Sequence, residues 1–464
     1  MSITSYENII KLRHNLAASQ LTVFDIPNKN VCAIRDLLDR DLRYSDNGSE
    51  VGSANYVSKS MCYFIRAKAL QREFFLPFWD TESFIPVRPQ VFIDQLLKKG
   101  DILISKDSNI GESILLDKDY PNYMMSGALY KLPISKNKYY LFAFLKHDYF
   151  RKQLDLLVPK GSTIRHAKTS FLDCKIPFPG QKNKMEIIKY VEILTEAIYE
   201  KEIEIRRKND VIFRLIEEEL YNNQKNKKFN YRNPRFEDIK KTGRMDAGIY
   251  VEDFKRNSFL VENYKYGSQN IIDRGYKWAR GTSLEIKGIG TRVDSEIFRE
   301  GFYELVIPAN ISEYGTILKS SYIGTPKRLK TIKEGDIIFG GEGFKKGRSF
   351  VVCNDVNNIA TNYHGIRLFR TKNDLQDSIF VRCFLAFWRE KGMIDYIGVG
   401  GSGGHCAPKY FHFIETPLFP EEKKMEISKY YHLKSKNPPR NLTLTDFLIE
   451  DKKWNNSSGI IEID

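Results

Sequence analysis

Between residues 184 and 220, apolar side chains return at alternating steps of four and three: Ile187, Val191, Leu194, Ile198, Ile205, Ile212 and Leu215, with Lys201 and Lys208 interrupting the series. The stretch holds no Gly and no Pro. Such heptads predict one long helix lying along a partner helix, and at about 1.5 Å per residue its 37 residues would span about 55 Å. Elsewhere the pattern breaks into short Val-, Ile-, Phe- and Tyr-rich runs bounded by Gly, Asn and Asp, such as GDILIS at 100–105, GDIIFG at 335–340, RSFVVC at 348–353 and HGIRLFR at 364–370. These predict strands joined by tight turns. Helix is predicted again over 377–391. A further helix starts at 421 and runs for about 16 residues to Asn437-Pro438-Pro439, where tandem prolines remove donors and disfavour the α conformation before them. The mixture predicts an α+β fold.

Sliding the chain against itself reveals a repeat with a period near 240 residues. Residues 161–190 and 401–430 agree at 11 of 30 positions without a gap, among them Gly161/Gly401, Phe171/Phe411, Pro177/Pro417 and Met185/Met425. Upstream, GDILIS answers GDIIFG, and YLFAFLK at 140–146 answers CFLAFWR at 383–389. A period this long points to a duplicated domain and not to a solenoid.

Length supports that division, since 464 residues suggest about three folding units at roughly 150 each. Hydrophobic residues at 42% and charged residues at 28% give an ordinary globular balance, which excludes the disordered class. Aromatics at 13% lean toward β-rich domains. Lys and Arg number 73 against 59 Asp and Glu, a net charge of +14. The 184–220 stretch carries 7 basic and 10 acidic residues, so +17 lies outside it. That surplus favours a polyanionic partner, nucleic acid before all. No run approaches the roughly 18 apolar residues of a membrane span, so a soluble, cytoplasmic protein with no membrane partner is expected. Six scattered cysteines without a CxxC pair argue against a disulfide framework or a zinc site.

Several motifs carry candidate chemistry. Residues 224–244 hold eight Lys or Arg interleaved with Phe229, Tyr231 and Phe236, and read as a DNA-contacting segment or a solvated linker. Residues 326–348 end in GGEGFKKGR, a glycine-rich loop able to bring backbone donors and cations to a phosphate strand. The GxGxxG at 398–403 lacks the acidic residue and helix start of a dinucleotide site. Asn437-Pro438-Pro439-Arg440 is similar to the motif with which adenine methyltransferases hold a flipped base, with Arg in place of the stacking ring. Asp273 with Glu285 and Lys287 could be stretched into a nuclease pattern. A self-contained DNA methyltransferase or nuclease, and a non-specific nucleic-acid-binding scaffold, therefore stay open as alternatives.

Two divergent copies with a heptad helix between them resemble the specificity (S) subunit of type I restriction-modification systems. The carriers are GRMDAGIY at 243–250, Gly347-Arg348-Ser349 followed by Thr361-Asn362-Tyr363-His364-Gly365, and the run 401–419 leading into a helix. The resemblance implies target recognition domains over 1–180 and 229–420, a spacer helix over 181–228, and a short distal helix with a C-terminal cap over 421–464. It implies that each domain reads one half of a bipartite double-stranded DNA target. The chain itself would be non-catalytic and bind no cofactor or metal. S-adenosylmethionine would sit on partner methyltransferase subunits, joined in some complexes by a restriction (translocase/nuclease) subunit. Reading base edges needs Arg, Lys, Asn or Gln on loops. The candidates are Lys106 and Asn109 in the first copy and Arg280, Lys345, Lys346, Arg348 and Asn362 in the second, with Arg165 and Lys168 as phosphate contacts.

Overall fold

The computed structural model describes residues 26, 28, 30–158, 166–180, 183–319, 321–354, 358–400 and 403–432. Two compact units divide the chain between Glu204 and Ile205. The first unit runs through β1 (Val31–Ala33), β2 (Cys62–Ile65), β3 (Phe84–Val87), β4 (Ile102–Ser105), β5 (Ser113–Leu115), β6 (Tyr123–Met125), β7 (Leu129–Leu132), α1 (Lys138–Lys146), α2 (Asp148–Leu157) and β8 (Lys175–Pro177). It ends in the first half of α3 (Lys184–Asn222). β4 lies between β5 and β7, β2 lies between β3 and β6, and β1 pairs with β8.

The second unit takes the rest of α3, then α4 (Phe236–Thr242), α5 (Glu252–Glu262), β9 (Ser268–Asn270), β10 (Lys277–Arg280), α6 (Ile286–Ile289), β11 (Val293–Ser295), β12 (Tyr303–Leu305) and β13 (Tyr322–Gly324). There follow β14 (Thr331–Ile332), β15 (Ile337–Gly340), β16 (Ser349–Val351), β17 (Ile359–Ala360), β18 (Gly365–Phe369), α7 (Leu375–Glu390), α8 (Met393–Ile397), β19 (Glu415–Pro417) and α9 (Glu421–Tyr431). The internal topology repeats that of the first unit. β15 lies between β16 and β18 as β4 lies between β5 and β7. β12 runs parallel to β17 as β2 does to β6. β9 pairs with β19 as β1 does with β8. The second unit adds β10 to its central sheet and widens its other sheet to five strands.

The repeated Gly-Asp has a geometric cause. Gly100 and Gly335 sit at φ +80° and +81°, a conformation that costs glycine little. The Asp101 and Asp336 carboxylates then accept the amides of Lys98 and Lys333 at 2.9 and 2.8 Å, closing the same turn before each central strand. β4 and β15 are buried along their whole length, which explains their unbroken apolar runs. α7 is buried at every position from Asp377 to Trp388 and fills the middle of the second core. At its start, Asp377, 3% exposed, gathers four groups. Arg274 donates at 2.5 and 3.2 Å, Arg370 at 3.1 Å and Tyr276 at 3.3 Å, and Lys424 lies 3.3 Å away.

The long helix forms where its Gly- and Pro-free sequence places it, but its packing face differs from the predicted seam. Of the seven heptad positions only Ile212 is buried, while Ile198 is exposed and the others are half-buried. The buried positions are Ile188, Ile193, Thr195 and Tyr199 in the first unit and Asn209, Ile212, Ile216 and Leu220 in the second. Ile188 and Tyr199 join the core of the first unit, and Ile212, Ile216 and Leu220 that of the second. Tyr199 donates to the Leu116 carbonyl at 2.8 Å, and the Glu202 carboxylate accepts the Phe75 amide at 2.7 Å. The distal helix is 11 residues long and ends at an extended His432, and the Asn437-Pro438-Pro439 stop lies outside the described residues. Within its unit it packs on α7, and Tyr431 donates to the Gly315 carbonyl at 2.9 Å. Among the described residues, no helix is long and apolar enough to cross a membrane.

Candidate nucleic-acid interface

In the second unit, the loop 341–348 leaves the central strand β15 and returns as β16. Backbone hydrogen bonds pin its base: Gly347 to Gly340 at 2.7 Å, Gly343 to Gly404 at 3.1 Å and Cys406 to Gly341 at 2.8 Å. Two of the candidate cations turn inward. Lys346, 8% exposed, donates to the Gly403 carbonyl at 2.7 Å and pairs with Asp395. Arg348, 5% exposed, donates to the Ile311 carbonyl at 3.1 Å. Both hold the loop from beneath, which corrects their expected place on a reading surface. Lys345 and Phe344 are exposed, Phe344 to 83%, and the Lys345 ammonium reaches the Ala309 carbonyl at 3.4 Å.

Beside this loop, Arg280 at the end of β10 meets the turn 361–365. Its guanidinium donates to Glu342 at 3.1 Å and to the Tyr363 carbonyl at 3.3 Å, and lies 4.5 Å from the Tyr363 ring centre. Glu342 also has His364 Nδ1 at 2.5 Å and His405 Nδ1 at 3.9 Å. Burial pushes the Glu342 carboxyl up, but the His364 and Arg280 hydrogen bonds outweigh it and hold the group below its ordinary range. Asn362 is a turn residue: its Oδ1 accepts the Gly365 amide at 3.2 Å. Its carbonyl lies so close to Gly281 that a Cβ there would stand 2.1 Å away. The outcome is a partly exposed set of one guanidinium, one carboxylate, two imidazoles and the Tyr363 ring. Arg can donate to guanine O6 and N7, and a carboxylate can accept from cytosine N4.

The corresponding loop in the first unit, 106–112, joins β4 to β5 and folds inward. The Lys106 ammonium lies 4.9 Å from the Tyr130 ring centre. The Asn109 amide reaches the carbonyls of Ala67 and Leu70, both at 3.4 Å, so it braces the loop. Ile110 is buried, and Arg151 donates to its carbonyl at 2.5 Å. Lys168 is exposed, and Arg165 lies outside the described residues. One feature is common to both units. Asp107 lies 2.6 Å from His166, as Glu342 faces His405, each pair joined by an isolated antiparallel bridge. Sequence reasoning missed these pairs because the ungapped repeat sets His166 against Cys406, one residue from its true counterpart.

Other motifs are absorbed by the scaffold. Arg244 of GRMDAGIY is buried, pairs with Asp246 at 2.6 Å, donates to the Ile397 carbonyl at 2.9 Å and lies 4.7 Å from the Tyr410 ring centre. The 224–244 stretch packs on its own unit: Phe229 meets Phe259 with ring centres 5.6 Å apart, Tyr231 donates to the Tyr250 carbonyl, and a groove of about 340 Å³ opens beside them. Beside the 398–403 glycines, Val399 and His405 exchange backbone hydrogen bonds, an antiparallel bridge where a dinucleotide site would need a helix start. Asp273 accepts from Asn270 at 2.6 Å, and Glu285 stands at the start of α6. Among the described residues, no group of three or more His, Cys, Asp or Glu could hold a metal ion. Asn437 lies outside the described residues.

The burial of Arg348 changes what its removal should do. Arg348→Ala leaves the Ile311 carbonyl without its guanidinium donor, an expected loss of about 1–3 kcal/mol. Thermal melting of the variant will therefore fall, where loss of a single base contact would leave the melting temperature unchanged.

Residues 51–207 match the family model described as the type I restriction modification DNA specificity domain. No curated protein matches the chain. Among solved structures, similarity is found to the S subunit of a type I restriction-modification system from M. genitalium, at 11% identity over 88% of this chain and 90% of that chain, with a TM-score of 0.37. The HsdS subunit from Thermoanaerobacter tengcongensis is also similar, at 13% identity over 87% of this chain and 88% of that chain, with a TM-score of 0.27.

Proposed function

We propose that this chain, whose residues 51–207 match a type I restriction modification DNA specificity domain, is the sequence-specific DNA recognition subunit of a restriction-modification complex. Each unit reads one half of a bipartite target. The chain docks methyltransferase subunits that bind S-adenosylmethionine and, in complexes that have one, a restriction subunit, and it performs no catalysis itself. The observation that carries this reading is the duplication: one strand–loop–strand scaffold occurs twice, each time with an acid–imidazole pair under a loop bearing lysine. Two related reading surfaces on one chain suit a target split into two half-sites. In the second unit, Arg280, Glu342 and Lys345 are the side chains offered to DNA, and in the first, Lys106 and Lys168.

Methylation mapping in cells carrying this chain with its neighbouring methyltransferase tests the reading: a split recognition sequence is expected, and an unsplit one would overturn it. Turnover by the purified chain with DNA and methyl donor alone would favour the enzyme alternative. Binding should also weaken steeply with salt, because neutralised phosphates release counterions. Log affinity is expected to fall by about 0.9 per phosphate contact per log unit of salt. Titrations between low and physiological salt check this, and a flat response would contradict it.

A further inference from the structure

Phe344 has no role in the recognition set described so far, and of the exposed phenyl rings it is the one carried on the glycine-rich loop beside Glu342. It stands at the tip of a loop whose base is tied by four backbone hydrogen bonds, the three given above and Lys346 to Gly343 at 3.1 Å. Gly343 and Gly347 on either side take φ values of +74° and +81°. A Cβ on Gly403 would come within 2.8 Å of the Phe344 backbone nitrogen, so the neighbouring loop supports the tip closely. Lys346 and the buried Arg348 hold the same loop from below. The scaffold therefore braces the backbone that carries an apolar ring into solvent, next to the exposed Lys345 and two residues from Glu342, which pairs with Arg280. The first unit offers a contrast, because Ile110 of the matching loop is buried in its own core.

We infer that Phe344 is a wedge that enters the base stack of duplex DNA at the half-site read by the second unit. This rests on the DNA-reading function proposed above and adds a mechanism to it. An apolar ring carried on a braced loop and flanked by a cation can pry apart adjacent stacked base pairs while the cation holds the phosphate. Pyrimidine–purine steps unstack with least resistance, so the ring selects such a step in its half-site without any hydrogen bond to it. Specificity at that step is then read from deformability, beside the base-edge contacts of Arg280 and Glu342.

The test uses the purified full chain and duplexes of the mapped target with 2-aminopurine placed in turn at each adenine of the half-site. Wild-type protein should raise the fluorescence at one position only, next to a pyrimidine–purine step. Phe344→Ala should abolish that rise and weaken binding by about 5- to 150-fold, the range expected for one aromatic–base stack. Phe344→Leu, which keeps apolar bulk, should retain some of the rise. Lys345→Ala should reduce the salt slope and keep the rise. An unchanged signal in Phe344→Ala, or no rise with wild-type protein that binds its target, overturns the wedge alone. Wild-type protein with no preference for its target overturns the DNA-reading function and the wedge with it.

Discussion

Asp377→Asn should lower the stability of the second unit by about 3–5 kcal/mol, the usual result of removing one member of a buried ion pair. The substitution keeps the shape and removes the charge, which leaves Arg274, itself 7% exposed, without its counter-ion. The effect reaches beyond one contact, because Arg274 also donates to the Pro417 carbonyl on β19 and Lys424 belongs to α9. Burial pushes the Asp377 carboxyl up, but Arg274, Lys424 and Arg370 together hold it below its ordinary value. A depressed folded-state value contributes stability that is present above the unfolded value near pH 4 and lost as pH falls through the folded one. Denaturant titrations of wild type should show that acid loss, and Asp377→Asn should show less of it. Asp294→Asn, at an exposed carboxylate 2.9 Å from Arg292 and remote from Asp377 in sequence, serves as the control and should cost at most about 1 kcal/mol.

Seven residues inserted between Glu204 and Ile205 should widen the non-specific gap of the DNA target by about three base pairs. That site lies after the last helix residues docked on the first core and before those docked on the second. A heptad keeps the same helix faces directed inward, and it adds about 10.5 Å. At roughly 3.4 Å per base pair this equals three steps, with about a quarter turn of duplex to be absorbed by bending or by the partner subunits. Both reading surfaces are chemically untouched, so the two half-site sequences should persist. Methylation mapping of the variant decides it: an active variant with an unaltered gap would mean that α3 is not the ruler.

The repeat, the central strands and the helices Lys184–Asn222, Leu375–Glu390 and Glu421–Tyr431 were legible in the sequence because each leaves a local signature, whereas the shorter helices before and after α3 were not. Gly100-Asp101 and Gly335-Asp336 mark the same turn, and a run without Gly or Pro marks α3. The helix face was not legible. Heptad matching rewards aliphatic residues, so it selected Ile187, Val191, Leu194 and Ile198 and passed over Tyr199 and Glu202, whose polar ends are satisfied only by the folded unit. The loop 341–348 shows the same limit. Charge is visible in GFKKGR, but direction is not, and the backbone leaves Lys345 exposed while it buries Lys346 and Arg348. Glu342 was overlooked because an acid in a basic loop looks like dilution of charge until Arg280, His364 and His405 are seen around it.

The division of the chain inside α3 has a consequence for how the protein folds. No cap, glycine or proline separates the half that completes the first unit from the half that completes the second. Starting a helix in water is disfavoured by a factor of about a thousand, near 4 kcal/mol, whereas lengthening one is close to neutral. Whichever unit assembles first starts the helix once for both, and the other inherits a growing end at Glu204 or Ile205. The later unit then has only to lengthen an existing helix, and a proline introduced at 205 would oblige each unit to nucleate alone.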